Sequence, residues 1–350
     1  MNGGDPMPNG LVMRSTGSRY LVRGEDGSLH ECVAKGNLRI KGWKSTNPVA
    51  VGDHVEYLPQ VSAEEVGSIV ELHDRRNYLV RRSVNLSHHK HVIAANVDQA
   101  LLMVTVARPR TSFGFIDRFL VTAETYQVPT VIVFNKVDDL RGEDDLDRLA
   151  EYQEVYETAG YRTIITAALK GTGVEEVRSL LAGKVTLVAG HSGVGKSTLI
   201  NAIDPALDLW TYEVSLSSEK GQHTTTYAEM FELKVMSDEL RVASAASDAA
   251  LTTRHADVNG PAPVAPTFII DTPGIKGFGL VDLEPEHIGD QFPEMFRLKG
   301  DCRFNNCMHK DEPGCAVRKA VEAGEVAGSR YRSYLDMLAG VDEEGPYRLD

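Results

Sequence analysis

The sequence predicts a three-part α/β protein: a small antiparallel barrel, a mostly parallel sheet covered by helices, and a short α-rich C-terminal segment. Three observations carry that expectation. Short apolar stretches between Leu11 and Leu72 are punctuated by Gly17, Gly24, Gly27, Gly36, Gly42, Gly52 and Gly67. From Val97 onward, apolar runs alternate with amphipathic ones. Cys302, Cys307 and Cys315 then crowd together with His309.

The first part shows Tyr20-Leu21-Val22, Cys32-Val33-Ala34, His54 to Tyr57 and Ser68 to Val70 between turn signals. That rhythm suits a barrel of the OB kind, and an SH3-like barrel would read the same way. In the second part, Ala100 to Val106, Thr130 to Phe134, Arg162 to Ile165 and Lys184 to Ala189 read as buried strands. Phe115 to Tyr126 and Asp144 to Ala159 read as helices, and a further helix starts at Lys196. Such alternation implies a parallel sheet with helices over it. Ser237 to Pro266, rich in Ala, Ser, Asp and Pro, reads as a flexible insertion between two strands. Helices are expected around Ala316–Ala323 and Ser329–Leu338.

Composition narrows the class. The 350 residues are 42% hydrophobic and 25% charged, as in a soluble globular protein. No apolar run approaches the roughly 20 residues that a membrane-spanning helix needs. Met1 to Gly10 lack the basic start and apolar run of a signal peptide, so a cytoplasmic protein with no membrane partner is expected. A net charge of −13 argues against indiscriminate nucleic-acid binding. The charge is uneven: Met1 to Val92 carry 12 Lys+Arg against 10 Asp+Glu, which permits local contact with RNA.

Gly190-His191-Ser192-Gly193-Val194-Gly195-Lys196-Ser197, followed by Thr198, fits the phosphate-binding loop GxxxxGK[ST]. It follows an apolar strand and opens a helix, the context such a loop requires. A chance match in a chain of this length has a probability of only about 0.01. Backbone N–H groups and the helix N-terminus would cradle the β-phosphate, Lys196 would reach the β- and γ-phosphates, and the Ser197 hydroxyl would coordinate Mg²⁺.

Asn135-Lys136-Val137-Asp138 lies where an apolar strand ends. An aspartate there accepts two hydrogen bonds from guanine N1–H and N2–H₂, which adenine cannot offer. Thr166-Ala167 follows the next strand, where guanine-specific sites carry a Ser-Ala pair. Asp271-Thr272-Pro273-Gly274 ends another strand; Asp271 would hold a Mg²⁺-bound water and the Gly274 N–H would reach the γ-phosphate. In Gly221-Gln222-His223-Thr224-Thr225-Thr226 a threonine hydroxyl, assigned to Thr225, would complete the Mg²⁺ shell. Ile275 follows the DTPG motif, and isoleucine cannot orient water as glutamine does in Ras. His223 is then the nearest catalytic candidate, the alternative being a loop histidine that only stabilises the segment.

Cys302-x₄-Cys307-x-His309-x₅-Cys315 offers three thiolates and one imidazole, a closed tetrahedral shell for one structural Zn²⁺. Free buried thiols are the rival reading. His88, His89 and His91 lack acidic or thiol company and read as a linker rather than a second metal site.

Taken together these residues resemble the five G motifs of translation-factor-type GTPases. Their order is permuted, since NKVD and Thr166-Ala167 precede the phosphate loop instead of following DTPG. With the β-rich front, GQHTTT, DTPG and CRFNNC-M-H…EPGC, the chain from about Tyr20 to Leu338 is similar to the bacterial ribosome small-subunit-dependent GTPase family. That resemblance implies an OB-fold β-barrel over 1–88, a circularly permuted α/β P-loop GTPase domain over 89–284 with the insertion at about 237–266, and a zinc-binding α-rich domain over 285–350. It implies GTP and GDP as ligands, Mg²⁺ at the nucleotide, and late maturation of the 30S subunit with 16S rRNA as partner. A monomer is expected. A small-molecule kinase or an ATPase would have no use for NKVD. The different-class rival is an RNA-binding scaffold with a regulatory, weakly hydrolytic GTP site. The departures from the family pattern are the long insertion and Thr166 in place of the commoner Ser.

Overall fold

The computed structural model describes residues 7–39, 48–60, 65–82, 90–209, 228–234, 265–272 and 283–341. His223, Thr225, Gly274, Ile275 and nearly all of the Ser237–Pro266 insertion lie outside the described residues.

Five strands build the first part: β1 (Asn9–Ser15), β2 (Tyr20–Gly24), β3 (Leu29–Ala34), β4 (His54–Leu58) and β5 (Gly67–Leu72). Their order is β1-β2-β3-β5-β4, and β1 pairs again with β4 to close the barrel. Only β3 and β5 run parallel. This closed Greek-key barrel is the OB arrangement, and it resolves the choice against an SH3-like barrel. Alternation drives it: Tyr20 and Val22 of β2 and Val55 and Tyr57 of β4 point inward onto Val12, Cys32, Val49 and Ile69.

A two-stranded hairpin follows, β6 (Tyr78–Arg82) and β7 (Lys90–Ala95). His91, expected in a linker, lies on β7 and pairs with Arg81. The reason is long-range packing: Val80 and Val92 bury against Ala50, and Tyr78 packs on Tyr126 with ring centroids 4.8 Å apart.

The central sheet holds β8 (Gln99–Val104), β9 (Thr130–Phe134), β10 (Arg162–Ile165), β11 (Val185–Ala189), β12 (Glu229–Leu233) and β13 (Thr267–Asp271). The order is β10-β9-β8-β11-β13-β12, parallel except for β12. Helices α1 (Phe113–Thr125) and α2 (Glu143–Ala159) pack on one face, α3 (Val174–Leu181) and α4 (Lys196–Ile203) on the other. Strand β8 feeds both cores by alternation: Ala100, Leu102 and Val104 face α1, while Leu101 and Met103 face α4. From β8 the chain moves outward to β9 and β10, then returns to β11 on the other side of β8. The crevice between β8 and β11 is therefore a topological switch point, where open α/β sheets bind ligands. Strand β12 pairs with β1 through Arg14 and Glu229, so one sheet runs from the central domain into the barrel.

The C-terminal part holds α5 (Pro285–Ile288), α6 (Pro293–Leu298), α7 (Ala316–Glu322) and α8 (Gly328–Leu338). Its core of Phe292, Met295, Cys307, Cys315, Val317 and Tyr334 includes Val121 from α1. Arg330 of α8 is fully buried and forms a bidentate pair with Glu294 (2.7 and 3.1 Å) while donating to Asp117 of α1 at 2.7 Å. No helix among the described residues is long and apolar enough to cross a membrane.

Candidate nucleotide site and cysteine cluster

The phosphate loop joins the end of β11 to α4, in the crevice that the topology leaves between β8 and β11. Two glycines there are geometrically required. Gly190 has φ +145° and passes so close to β8 that a Cβ would stand 2.4 Å from the Met103 carbonyl oxygen. Gly195 has φ +94°, and a Cβ would meet Asn135 Nδ2 at 2.5 Å. Lys196 heads α4 and its Nζ donates to the carbonyls of Gly190 (2.7 Å) and His191 (3.1 Å). Burial pushes the Lys196 ammonium below its usual range, and the nearby Asp271 carboxylate opposes that shift.

Asn135 organises the rest. Its Nδ2 donates to the Val194 carbonyl at 2.8 Å, and its Oδ1 accepts from Thr166 Oγ1 (2.9 Å) and Ala168 N–H (3.3 Å). One buried amide thus ties together the NKVD turn, the Thr166-Ala167 loop and the phosphate loop. Thr166 Oγ1 supplies a bond that serine in its place would also make. Lys136 adopts the left-handed conformation (φ +63°) and Asp138 stands exposed in the short turn Val137–Asp139. Ser197 and Thr198 occupy the first turn of α4, half-buried.

Asp271 ends β13, beside Lys196. Its Oδ1 is buried and finds no hydrogen-bond partner among the described residues, and burial pushes its carboxyl up to about 6. A buried carboxylate oxygen with no protein donor fits a cation-bound water.

Sequence reading missed the loop between β8 and α1. Arg108 donates through Nε to Asp139 Oδ2 at 2.9 Å and through Nη2 to Asp145 Oδ2 at 3.2 Å, bracing the NKVD turn against α2. Thr111 Oγ1 lies 2.6 Å from His191 Nε2, in the phosphate loop. Ser112 caps α1 by accepting from Phe115 N–H at 3.2 Å. The Arg-Pro-Arg-Thr-Ser run signals a turn and a helix cap, but nothing in it names partners far along the chain.

Cys302, Cys307, His309 and Cys315 converge, their ligand atoms all within 4.8 Å of one another. His309 Nδ1 lies 3.6 Å from Cys302 Sγ and 3.4 Å from Cys315 Sγ. His309 takes a left-handed conformation (φ +56°), and Tyr331 OH holds its carbonyl at 2.6 Å. Three sulfurs and one imidazole nitrogen at this spacing suit a tetrahedral Zn²⁺ shell.

Comparison with known proteins gives a consistent picture. Residues 9–69 match the family model described as the RsgA N-terminal domain, and residues 72–239 the one described as RsgA GTPase. The chain is 47% identical to the small ribosomal subunit biogenesis GTPase RsgA of Flavobacterium psychrophilum, over 97% of this chain and 95% of the relative. It is 49% identical to the protein of that name from Bacteroides fragilis, over 97% and 98%. Among solved structures it resembles YjeQ from Thermotoga maritima, with a TM-score of 0.69 and 34% identity over 96% of this chain and 99% of that one. It also resembles YloQ, described as a circularly permuted GTPase, with a TM-score of 0.64 and 26% identity over 97% of each chain.

Proposed function

The chain belongs to the RsgA GTPase family, and from that premise we propose that it hydrolyses GTP in the biogenesis of the small ribosomal subunit. The observation that carries this reading is the Asn135 amide, which holds the base-reading turn and the phosphate loop in one frame. Asp138 reads guanine, with the Thr166-Ala167 loop beside it. Residues 190–198 cradle the phosphates, and Lys196 leaves the carbonyls of its own loop to meet the β- and γ-oxygens.

Ser197 and Thr225 would hold Mg²⁺, with Asp271 engaging one of its waters; when bound, the ion screens charge on the β- and γ-phosphates. The Gly274 N–H meets the γ-phosphate. His223 orients the attacking water, because Ile275 cannot. Cys302, Cys307, His309 and Cys315 hold one structural Zn²⁺. We further assign the division at 284/285, 16S rRNA within the 30S particle as the surface recognised, a monomeric state and a cytoplasmic location.

The decisive experiment measures GTP turnover with and without purified small subunits, and nucleotide affinity by competition. Stimulated turnover with strong preference for GTP over ATP is expected. Equal affinity for ATP, or no turnover with the particle present, would overturn the reading in favour of a scaffold.

A further inference from the structure

Under the phosphate loop lies a buried pair that the motif itself does not call for. His191 is 2% exposed, with its ring edge-on to Phe115 at 5.6 Å between centroids. Its Nδ1 lies 3.0 Å from the Ser192 carbonyl oxygen and its Nε2 lies 2.6 Å from Thr111 Oγ1. A carbonyl oxygen only accepts, so Nδ1 carries the proton. Nε2 is then the acceptor and the Thr111 hydroxyl the donor. Thr111 Oγ1 in turn accepts from the Thr105 N–H at 3.2 Å. Burial holds the imidazole down at about 4, and Lys196 and Lys136, the cations facing it, act in the same direction. The ring is therefore neutral, with its tautomer fixed.

The same residue also holds the loop's lysine, since the His191 carbonyl accepts from Lys196 Nζ. Around it stand Gly190, Gly193 and Gly195, all at positive φ. A glycine-rich loop has much freedom to lose when it grips a ligand, and an anchored side chain removes part of that cost beforehand. We propose that the His191–Thr111 pair is a positioning device for phosphate binding, fixing the loop backbone against the segment that precedes α1. This rests on reading the crevice as a guanine-nucleotide site.

Calorimetric affinities for GDP and for guanosine, measured on wild type, Thr111→Val, His191→Phe and the double variant, test it. Losing one buried hydrogen bond should weaken GDP about tenfold in each single variant. The double variant should be about as weak as the worse single one, because the two side chains make one interaction. Guanosine, which offers the loop no phosphate, should bind all four proteins alike. Additive losses, unchanged GDP affinity, or an equal loss for guanosine and GDP would overturn the pair's role. A wild type that binds no GDP would instead sink the nucleotide reading. Should a variant fail to fold, ¹⁵N spectra of the wild-type imidazole at pH 6 and 7 still decide: a neutral Nδ1–H ring is expected, and a cationic or Nε2–H ring refutes the pair.

Discussion

Asp138 and His191 show what single residues carry. Asp138 stands exposed at the end of the NKVD turn, while the neighbouring Asn135 is buried and fully engaged. Among the described residues the proposed base-reading carboxylate has no hydrogen-bond partner that would compete with the base, and Asn135 ties its turn to the neighbouring loops. Asp138→Asn exchanges an acceptor for a donor at that position. GTP affinity should fall about a hundredfold, the worth of a bidentate contact to a charged group, and xanthosine triphosphate should now bind; competition titration checks both. His191 makes a pH prediction. Burial holds its pKa in the folded protein down at about 4, below the ordinary 6.5, so the unfolded chain binds the proton first. Stability contributed by the neutral ring is complete above pH 6.5 and is lost as pH falls toward 4. Between pH 7 and 5.5 wild type should lose about 1.2 kcal/mol that His191→Gln does not, as read from urea midpoints. An equal acid dependence in the two proteins would show that the ring titrates normally. At this scale the motif residues were legible because fixed spacing in a loop encodes fixed geometry. Arg108 and Thr111 were not, since their partners stand 31 and 80 residues away and nothing local marks them.

Among the elements, α1 stands apart because it is buried along nearly its whole length. Its N-terminus follows Thr111 beside the phosphate loop, and Phe119 and Leu120 fill the core under the sheet. Tyr126, just past its end, meets the hairpin, and Asp117 and Val121 meet the C-terminal part. A helix apolar on most of its faces is one surrounded by protein, and Phe113 to Ala123 is such a run apart from Asp117, Arg118 and Thr122. The hairpin escaped the sequence reading for a related reason. A register shift between Leu79 and Val80 buries two consecutive residues, and Val92 to Ala95 are buried without a break, so neither strand shows alternation. The buried Arg330 makes a test of how firmly α1 holds the C-terminal part. Tyr156 OH also donates to Asp117 Oδ1 at 3.0 Å, and the guanidinium lies 4.6 Å from the Phe292 ring centre. Arg330→Met strands two buried carboxylates and should cost about 3–5 kcal/mol in urea denaturation. The triple change Arg330→Met, Asp117→Asn and Glu294→Gln removes the charges together and should recover most of it. A loss under about 1 kcal/mol in the single variant would mean that water reaches the pair.

In the whole molecule, permutation decides what the two segments proposed to meet the γ-phosphate are joined to. The segment 221–226 runs into β12, which pairs with β1 of the barrel and is joined to it by Arg14–Glu229 (3.5 Å) and Arg23–Glu232 (3.0 Å). The segment 271–274 leads within a short stretch to α5 and the cysteine cluster. One segment thus leads into a strand that is hydrogen-bonded and ion-paired to the barrel, and the other is covalently continuous with the C-terminal part. The motif order made the permutation readable from the chain. The seating of the C-terminal part was not readable, because it depends on pairs such as Arg330–Asp117, separated by 213 residues. A switch tethered at both ends should change the surface offered to the ribosomal particle when the γ-phosphate is lost. Purified small subunits should therefore retain the protein more tightly with a non-hydrolysable GTP analogue than with GDP, by about 5- to 150-fold, the range of ordinary allosteric coupling. Linkage then fixes a second number: the particle must favour the analogue over GDP at the nucleotide site by that same factor. Co-sedimentation gives the first ratio and fluorescent-nucleotide titration the second. Equal retention with both nucleotides would mean that the tethers transmit nothing, and that GTP serves the protein in some way other than as a switch for docking.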